Sequence, residues 1–545
     1  MKGVRSNREA ALRASLKVTE SSRHGGKAAS SPLIFRLLSC RSMMCLFFLS
    51  GLFIFYVFAI AASPFSSCPG NPIRDSDAEE PEALIHISTS NLSSSPPVSP
   101  PPAPRFPPPP PSPPPRTLQA VEVEPTGLQH IVFGIAASAN FWGKRKEYIK
   151  LWWRPRRMRG YVWLDRPVRE SRSSAAALPT IKISADTSKF PYTHKHGSRS
   201  ALRISRIVSE TVRLSLTNVR WFVMCDDDTV FIADNLIRVL NKFDHRQPYY
   251  IGSQSESHLQ NIIFSYTMAY GGGDSPLAAP RCLPCPDAGP MHPPLPRALW
   301  QRRPHQACMA ELGVPLTHHP GFHQFDVYGN LLGLLAAHPI APLLTLHHLD
   351  VVETIFPDSR TQAAAIRRIF DGPVRLDSSA VMQQSICYDA ERHWTVSVSW
   401  GFVVQVVRGI MSPREMERPA RTFLNWYRRA DYTAYAFNTR PVARNPCQKP
   451  FLYYLSSSSL DKSNRTTVTR YNRYKESRSP ICRWKLADPS ALVDEVVVYK
   501  KPDPSLWDRA PRRNCCRVLQ SLKVGKKTMA VEVGVCREDE ITEAL

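Results

Sequence analysis

Twenty consecutive residues without a charged side chain, Met43 to Ala62, set the narrowest limit on how this chain can be arranged. A helix crosses a bilayer core of about 30 Å with roughly 20 apolar residues, and this run has that length. It has no polar face, which a helix on the surface of a globular core would have. A tail with nine Lys and Arg residues against Glu9 and Glu20 precedes it. The positive-inside rule therefore predicts a cytosolic tail at 1–42, a membrane anchor at 43–62 and a lumenal remainder.

A proline-rich segment separates the apolar run from the rest of the chain and predicts a spacer. The sequence has 50 prolines, many of them between Ser93 and Arg116, which reads SSSPPVSPPPAPRFPPPPPSPPPR. Proline at this density favours polyproline II, a semi-rigid helix of about 3 Å per residue. In the cytosol such runs are often SH3 ligands, but in the lumen a stem over residues 63–126 is the better interpretation. Sequons at Asn91 and Asn464 agree with the lumen.

The strong positive charge of the chain does not by itself identify a partner. The formal net charge is +24, which favours nucleic acid, anionic lipid or sugar phosphates. Neither zinc-finger spacing nor an aromatic RNA-binding signature accompanies the charge. We therefore predict no nucleic-acid partner.

Residues 127–410 alternate between the patterns of strands and helices, which is typical of an α/β fold. Helices are predicted from Lys144 to Trp153 and, with apolar residues at i, i+3 and i+4, from Ser200 to Leu216. Short apolar runs predict the strands HIVFGIAASA, GYVWLD, IKISAD and VRWFVMC. Such alternation implies a mainly parallel sheet with flanking helices. Ligands bind these sheets beyond the carboxyl ends of the strands.

Three aspartates directly follow the last of these strands. Asp226, Asp227 and Asp228 repel one another, and their clustering costs free energy unless a cation compensates it. Mn²⁺ or Mg²⁺ prefers oxygen ligands and can bridge a carboxylate to a diphosphate. The alternative is that these acids cap the helix beginning near Ala233, since carboxylates favour helix N-termini. The anchor and stem favour the metal, because lumenal enzymes of this layout commonly handle nucleotide sugars.

The aspartates belong to an ordered series of motifs. The motifs are RWFVMCDDDTVF, YYIGSQSES, FSYTMAYGGG, CMAELGVPLTHHPGFHQFDVYGN, HPIAPLLTLHHLD, QQSICYD and WTVSVSWGFVVQV. The series resembles the Fringe-like members of glycosyltransferase family 31, and more closely a plant branch of Fringe-related glycosyltransferases. The resemblance extends from Gly127 to the C-terminus, apart from one interval. It implies a GT-A-like fold, a Mn²⁺-dependent UDP-sugar site and inversion at the anomeric carbon.

The resemblance also assigns metal ligands by position. It places the metal on Asp228 and the donor nucleotide on Asp226, with Asp227 supporting the loop. His323 in GFHQFD resembles the distant histidine that completes the metal site, and neutral imidazole is a sound ligand for Mn²⁺. The alternative for His323 is a hydrogen-bonded core residue. Four other histidines compete with it for the metal: His318, His319, His347 and His348.

Three small residues are interpreted as part of the donor site. Ala136 and Ser138 would let the nucleotide approach the first strand, although small residues also serve packing. Gly272 would allow close approach of the backbone to the substrates, although glycines also form plain turns.

The resemblance is interrupted at residues 274–305, which read DSPLAAPRCLPCPDAGPMHPPLPRALWQRRPH. It stops at Gly273 and resumes at Gln306, with an interval close in length to that of relatives. We interpret the interval as a local reading-frame shift in the gene or its annotation; a proline-rich surface loop is the alternative, but an insertion would lengthen the chain. The base aspartate of the family belongs here, where this chain has Arg302 and Arg303, and arginine accepts no proton near neutral pH. No catalytic base is therefore assigned.

Residues 411–545 are predicted to form a small β-rich extension, with disulfides among cysteines in the oxidising lumen. Their pairing does not follow from spacing. The cysteines are Cys447, Cys482, Cys515, Cys516 and Cys536.

These features together predict a Golgi type II membrane enzyme that transfers a sugar from a UDP-sugar to a glycan or glycoprotein acceptor, with inversion and a β-1,3 linkage. One alternative is a catalytically inactive lumenal carbohydrate-binding or scaffold protein of the same fold. A second alternative is a wall-associated plasma-membrane protein that uses the proline run as its contact.

Overall fold

The computed structural model describes residues 124–188, 200–271, 277–278, 304–427, 434–475, 482–483, 485–519, 527–538 and 540. The predicted tail, anchor and nearly all of the stem lie outside these residues, as does most of the 274–305 interval. Within the described part of the chain, no helix combines the length and the apolar character that a membrane crossing requires. The anchor therefore stays a prediction.

Strands and helices are numbered here in chain order. The strands are β1 Ile131–Ala137, β2 Arg159–Leu164, β3 Thr180–Ile183, β4 Trp221–Asp226, β5 Val230–Phe231, β6 Tyr250–Gly252, β7 Leu277–Ala278, β8 Leu316–His318, β9 Phe322–Gln324, β10 Val327–Gly329, β11 Thr345–His347, β12 Gln384–Asp389, β13 Trp394–Ser399, β14 Val403–Arg408, β15 Phe423–Asn425, β16 Phe451–Asp461, β17 Thr466–Arg473, β18 Glu495–Lys500, β19 Cys515–Leu519 and β20 Thr528–Gly534. The helices are α1 Trp142–Trp152, α2 Arg172–Ala176, α3 Ser200–Val212, α4 Ala233–Leu240, α5 His258–Ile263, α6 Pro304–Glu311, α7 Leu332–Ala336, α8 Gln362–Ile369, α9 Arg375–Asp377, α10 Pro413–Met416 and α11 Pro489–Leu492.

The first sheet is mainly parallel, as the alternating pattern predicts. Its described strands follow the order β3-β2-β1-β4-β7-β6-β8. Strand β1 pairs in parallel with β2 and β4, and β2 pairs in parallel with β3. Strand β7 is antiparallel to both of its neighbours. This mixed α/β arrangement with flanking helices fits a GT-A-like fold.

Strand β1 is buried along its whole length because helices cover both faces of the sheet. Val132 and Ala136 pack on one face with Ile207 and Val208 of α3. Phe133 packs on the other face, where its ring centroid lies 5.2 Å from that of Trp152 in α1. Alternate side chains of a strand point to opposite faces, so a strand covered on both sides reads as one continuous apolar run.

Two predicted elements are shorter in the structure. The strand predicted over 181–186 ends at Ile183, and the helix predicted to Leu216 ends at Val212. After α3 the backbone passes through left-handed conformations at Ser215, with φ 49°, and Asn218, with φ 55°. This conformation does not continue an α-helix.

A second sheet of eight described strands forms the C-terminal half, in the order β12-β13-β14-β16-β17-β18-β20-β19. Its edge strands β12 and β19 contact each other, and a disulfide between Cys387 and Cys516 joins them. Two further disulfides pair Cys447 with Cys482 and Cys515 with Cys536. All five predicted cysteines are therefore bonded, and Cys387 is a partner that spacing did not indicate.

This second sheet begins at Gln384, before the predicted boundary at residue 410. Strand β14 pairs with β16, so residues on the two sides of that boundary share one sheet. Strand β13 is buried at every position. Its sequence, WTVSVS, alternates apolar residues with Thr and Ser, so the burial of both of its faces does not follow from an apolar run.

Candidate metal and nucleotide site

The aspartate cluster lies where β4 ends and the chain turns into β5. Asp226 is the last residue of β4, and the Thr229 amide donates to its carbonyl oxygen at 3.2 Å. Strand β5 pairs antiparallel with β11, so that Val230 lies opposite Leu346. This register carries the next residue of β11, His347, alongside the turn that holds the aspartates.

Asp226, Asp228 and His347 form a group that could hold a metal ion, with one ligand atom of each within 4.8 Å of the others. The His347 Nε2 atom lies 3.1 Å from Asp228 Oδ1 and 3.7 Å from Asp226 Oδ2. The side chains of Asp228 and His347 are each 1 % exposed, whereas that of Asp226 is 21 % exposed. The group is thus buried on one side and open to a ligand at Asp226.

Gln324 fixes the tautomer of His347. Its Oε1 atom accepts from the Gly271 amide at 3.2 Å, and a backbone N–H can only donate. The same oxygen lies 2.6 Å from His347 Nδ1, so Nδ1 carries a proton and donates it. Burial, together with His348, lowers the pKa of His347. In the neutral ring, Nε2 is therefore a lone-pair acceptor that faces Asp226 and Asp228.

The buried acceptors of this group fit a divalent cation. His347 Nε2 and Asp228 Oδ1 make no hydrogen bond within the described structure, while Asp228 Oδ2 forms an ion pair with Arg145. Two acceptors that face each other without a donor are unfavourable in a buried place. Carboxylate oxygens with one imidazole nitrogen suit Mn²⁺, and the hydrogen bond that His347 donates to Gln324 orients the imidazole as ligating histidines require.

Arg145 neutralises part of the negative charge of the cluster. It reaches Asp227 at 2.9 Å, Asp228 at 3.0 Å and Asp350 at 3.1 Å. Burial acts to raise the pKa of Asp228, but the surrounding positive charge, to which Arg145 contributes, outweighs burial and lowers it. Burial raises the pKa of Asp227 to about 6, although Arg145 opposes the change. Asp228 therefore stays ionised, as a metal ligand must.

Asp227 is held by groups from two neighbouring segments. One of its oxygens accepts from the Ser138 amide at 3.3 Å, and the other accepts from Arg145. The predicted donor residue Ala136 lies beside Asp226 in the pairing of β1 with β4. The structure thus brings Ala136, Ser138 and the aspartates together, while Gly272 lies outside the described residues.

His323 does not belong to the metal-capable group, and the sequence-based assignment of this ligand is corrected. Its Nδ1 atom lies 2.7 Å from Glu256 Oε1, and its Nε2 atom lies 2.8 Å from His338 Nδ1. The ring also stacks on Phe325, with centroids 5.3 Å apart. Both ring nitrogens are thus engaged inside the core. Neighbouring residues on a strand point to opposite faces, so His323 and Gln324 of β9 lie on different sides.

Arg145 and Gln324 were not recognised from the sequence as site residues. Arg145 lies three, four and seven residues before Tyr148, Ile149 and Trp152, which are three of the four buried residues of α1. An arginine in line with the buried face of a helix is a signal that could have indicated a buried acidic partner. No comparable signal marks Gln324.

An aromatic stack leads from the surface to His347. The rings of Tyr328 and Trp426 are parallel, with centroids 5.0 Å apart, and Tyr328 is 39 % exposed. The His348 ring stacks on Trp426, with centroids 5.7 Å apart, and lies tilted against His347, with centroids 4.1 Å apart. Burial acts to lower the pKa of His348, but its bond with Asp326 raises the pKa to about 9. The pairing of β10 with β15 thus adds a C-terminal tryptophan to the surroundings of the site.

A mainly parallel α/β sheet with an aspartate cluster beyond a carboxyl strand end is the arrangement of a GT-A-like glycosyltransferase. Comparison with known families agrees: a family described as "Fringe-like" matches residues 126–274. A second family, described as "Protein of unknown function, DUF604", matches residues 294–516. The chain therefore belongs to the Fringe-related glycosyltransferases. No curated protein matches the chain significantly.

Proposed function

We propose that the protein transfers a sugar from a UDP-sugar to a glycan or glycoprotein acceptor, with inversion and a β-1,3 linkage. The observation that supports this proposal is the buried pair of acceptors beside Asp226, Asp228 Oδ1 and His347 Nε2, which face each other without a hydrogen bond in the described structure. A divalent cation held there, Mn²⁺ or Mg²⁺, would offset the negative charge that gathers on a diphosphate leaving group.

The residues around this group prepare it for a charged ligand. Gln324 keeps the lone pair of His347 directed at Asp226 and Asp228. Arg145 and the Ser138 amide hold Asp227, so the turn after β4 keeps its shape. Because Arg145 already neutralises part of the cluster, a cation and a diphosphate can be accommodated without a large excess of either charge.

A second candidate function is carbohydrate binding without transfer. An acceptor hydroxyl needs a base to take its proton, and the family's base position falls in the 274–305 interval. Residues 300–303 there read Trp, Gln, Arg and Arg, and neither arginine accepts a proton near neutral pH. If the interval is authentic, donor binding survives while transfer is lost.

We also propose a Golgi location with the catalytic part in the lumen. The apolar run at 43–62 and the basic tail before it support this topology. Three disulfides in the C-terminal half support an oxidising compartment. Imaging of a tagged chain with protease protection of microsomes tests both points, and exposure of the C-terminal half to cytosolic protease would contradict them.

A transfer assay with the full chain in detergent tests the enzyme. A panel of UDP-sugars is incubated with a glycan acceptor library in Mn²⁺ or in EDTA. We expect UDP release and a glycosylated product in Mn²⁺ only, and loss of both in Asp228→Asn. Asp244→Asn is the matched control, because Asp244 pairs with Arg246 at 2.9 Å outside the site. Donor binding without product would favour the second candidate, and no donor binding would refute both.

A further inference from the structure

A separate cavity of about 600 Å³ lies between segments of both matched families. Ser253 to Glu256 belong to the Fringe-like match and form one part of its wall. The remaining wall belongs to the second match and includes His323, His338, Glu417, Arg418, Asn438 and Arg513. The volume is in the range of ligand pockets, which combine apolar walls with a few placed polar groups.

The cavity is coupled to the metal-capable group through one residue. The backbone N–H of Gln324 donates to Glu256 Oε2 at 2.8 Å, and Glu256 lines the cavity. The Gln324 side chain accepts from His347. A ligand in the cavity and a donor at Asp226 would thus both lie next to residues that Gln324 holds.

The negative charge of Glu256 in the cavity wall is compensated by a proton that lies between Glu256 and His323. His338 Nε2 donates to the Ala341 carbonyl at 3.0 Å, and burial holds the pKa of His338 well below its usual range. His338 Nδ1 therefore accepts from His323 Nε2. The remaining His323 nitrogen faces Glu256 Oε1 at 2.7 Å, so one more proton lies between them. Glu256 and His323 together then carry no net charge.

The remaining charges of the wall are two arginines against one glutamate. Arg513 Nη2 lies 3.1 Å from a carboxylate oxygen of Glu417, and Arg418 Nη2 forms an ion pair with Glu415. The Nε atom of each arginine is buried and makes no hydrogen bond within the described structure. Guanidinium groups with donors left over match carboxylates in geometry and charge.

We propose that this cavity binds the acceptor glycan and selects one that carries a uronic acid, whose carboxylate contacts Arg418 and Arg513. The proposal rests on the proposed transferase function, because it names the acceptor of that site. It gives the region of unknown function a role, since that region supplies both arginines.

Binding of acidic and neutral sugars to the full chain tests the proposal. Oligosaccharides of galacturonic, glucuronic or iduronic acid are titrated by calorimetry in EDTA, each beside its carboxyl-reduced counterpart. We expect at least one acidic member to bind about tenfold more tightly than its neutral partner, the effect of roughly one charge-assisted hydrogen bond. Equal affinity within every pair would overturn the proposal.

Variants and donor binding separate this proposal from the transferase itself. Arg418→Gln and Arg513→Gln should each remove the preference for the acid, while Arg470→Gln, which lies on the outer part of the second sheet and is 50 % exposed, should keep it. UDP binding in Mn²⁺ should be unchanged in all three. If UDP binding fails in the wild type while the acid preference holds, the transferase is refuted and the cavity is not. An acid preference that persists in both cavity variants would refute the assignment to Arg418 and Arg513.

Discussion

Replacement of Arg145 by glutamine should destabilise the protein without metal and make it depend on the cation. The guanidinium bridges three carboxylates within 3.1 Å and is 24 % exposed, and Asp227 and Asp228 are at most 3 % exposed. Loss of one partner of a buried ion pair costs about 3–5 kcal/mol. At about 2–4 °C per kcal/mol, a loss near the lower limit lowers Tm by roughly 6–12 °C.

Thermal unfolding of the full chain in EDTA, in Mn²⁺ and in Mn²⁺ with UDP measures this effect. The variant should recover much of its Tm in Mn²⁺, because the cation replaces the missing positive charge and binds the folded state only. Mn²⁺ should therefore stabilise Arg145→Gln more than it stabilises the wild type. Arg470→Gln breaks an exposed pair and should change stability by less than about 1 kcal/mol. A Tm in EDTA like that of the wild type, or equal stabilisation of both by Mn²⁺, would refute the reasoning.

Three further substitutions test other parts of the structure. The Lys500 ammonium lies 2.6 Å from the buried Asp377 carboxylate, so Lys500→Met leaves that carboxylate without its cation. The free energy of unfolding, measured by chemical denaturation, should fall by about 3–5 kcal/mol. A decrease below about 1 kcal/mol would contradict this expectation. Cys387→Ser should lower stability by about 2–5 kcal/mol and leave Cys516 reactive to maleimide, because their disulfide spans 129 residues; an unreactive Cys516 would mean another pairing. His323→Asn should lower Tm yet change the affinity for Mn²⁺ and UDP by no more than about twofold. Replacement of a residue that holds a metal ligand in place typically lowers metal affinity by about 10–100-fold. A loss of affinity of that size would restore His323 as a ligand.

The first sheet could be predicted from the sequence because its strands are buried on both faces. Strand β1 is apolar at every position and is followed by α1, so the periodicity changes clearly from strand to helix. The position of Asp226 at the carboxyl end of β4 followed from the same reasoning. Sheets of this kind place ligands at that edge, so the location of the site was predictable as well.

Which histidine lies beside Asp226 and Asp228 was not predictable, because that depends on the register of strand pairing and not on the sequence motif. His323 pairs with Leu346 across β9 and β11, whereas Gln324 pairs with His347. A shift of one residue exchanges the two faces of a strand. The candidate ligand set therefore needed the pairing of β5, β9 and β11, in which β5 meets two strands that lie more than 90 residues further along the chain.

The extent of the C-terminal sheet was hidden for a different reason. Strands β12 to β14 precede β16 by a long connection, so their pairing with the C-terminal strands does not show in the local sequence pattern. The disulfide between β12 and β19 closes the ends of the second sheet. Spacing of cysteines carries no information about such a contact between distant strands.

Pulsed electron paramagnetic resonance of Mn²⁺ bound to the full chain with UDP tests the central claim most directly, because it detects the nuclei next to the metal. We predict a nitrogen coupling from one imidazole and a phosphorus coupling from the diphosphate. The nitrogen coupling should disappear in His347→Asn and persist in His323→Asn. A spectrum without nitrogen coupling, or one whose nitrogen coupling survives the loss of His347, would contradict the assignment of Asp226, Asp228 and His347 as the metal site.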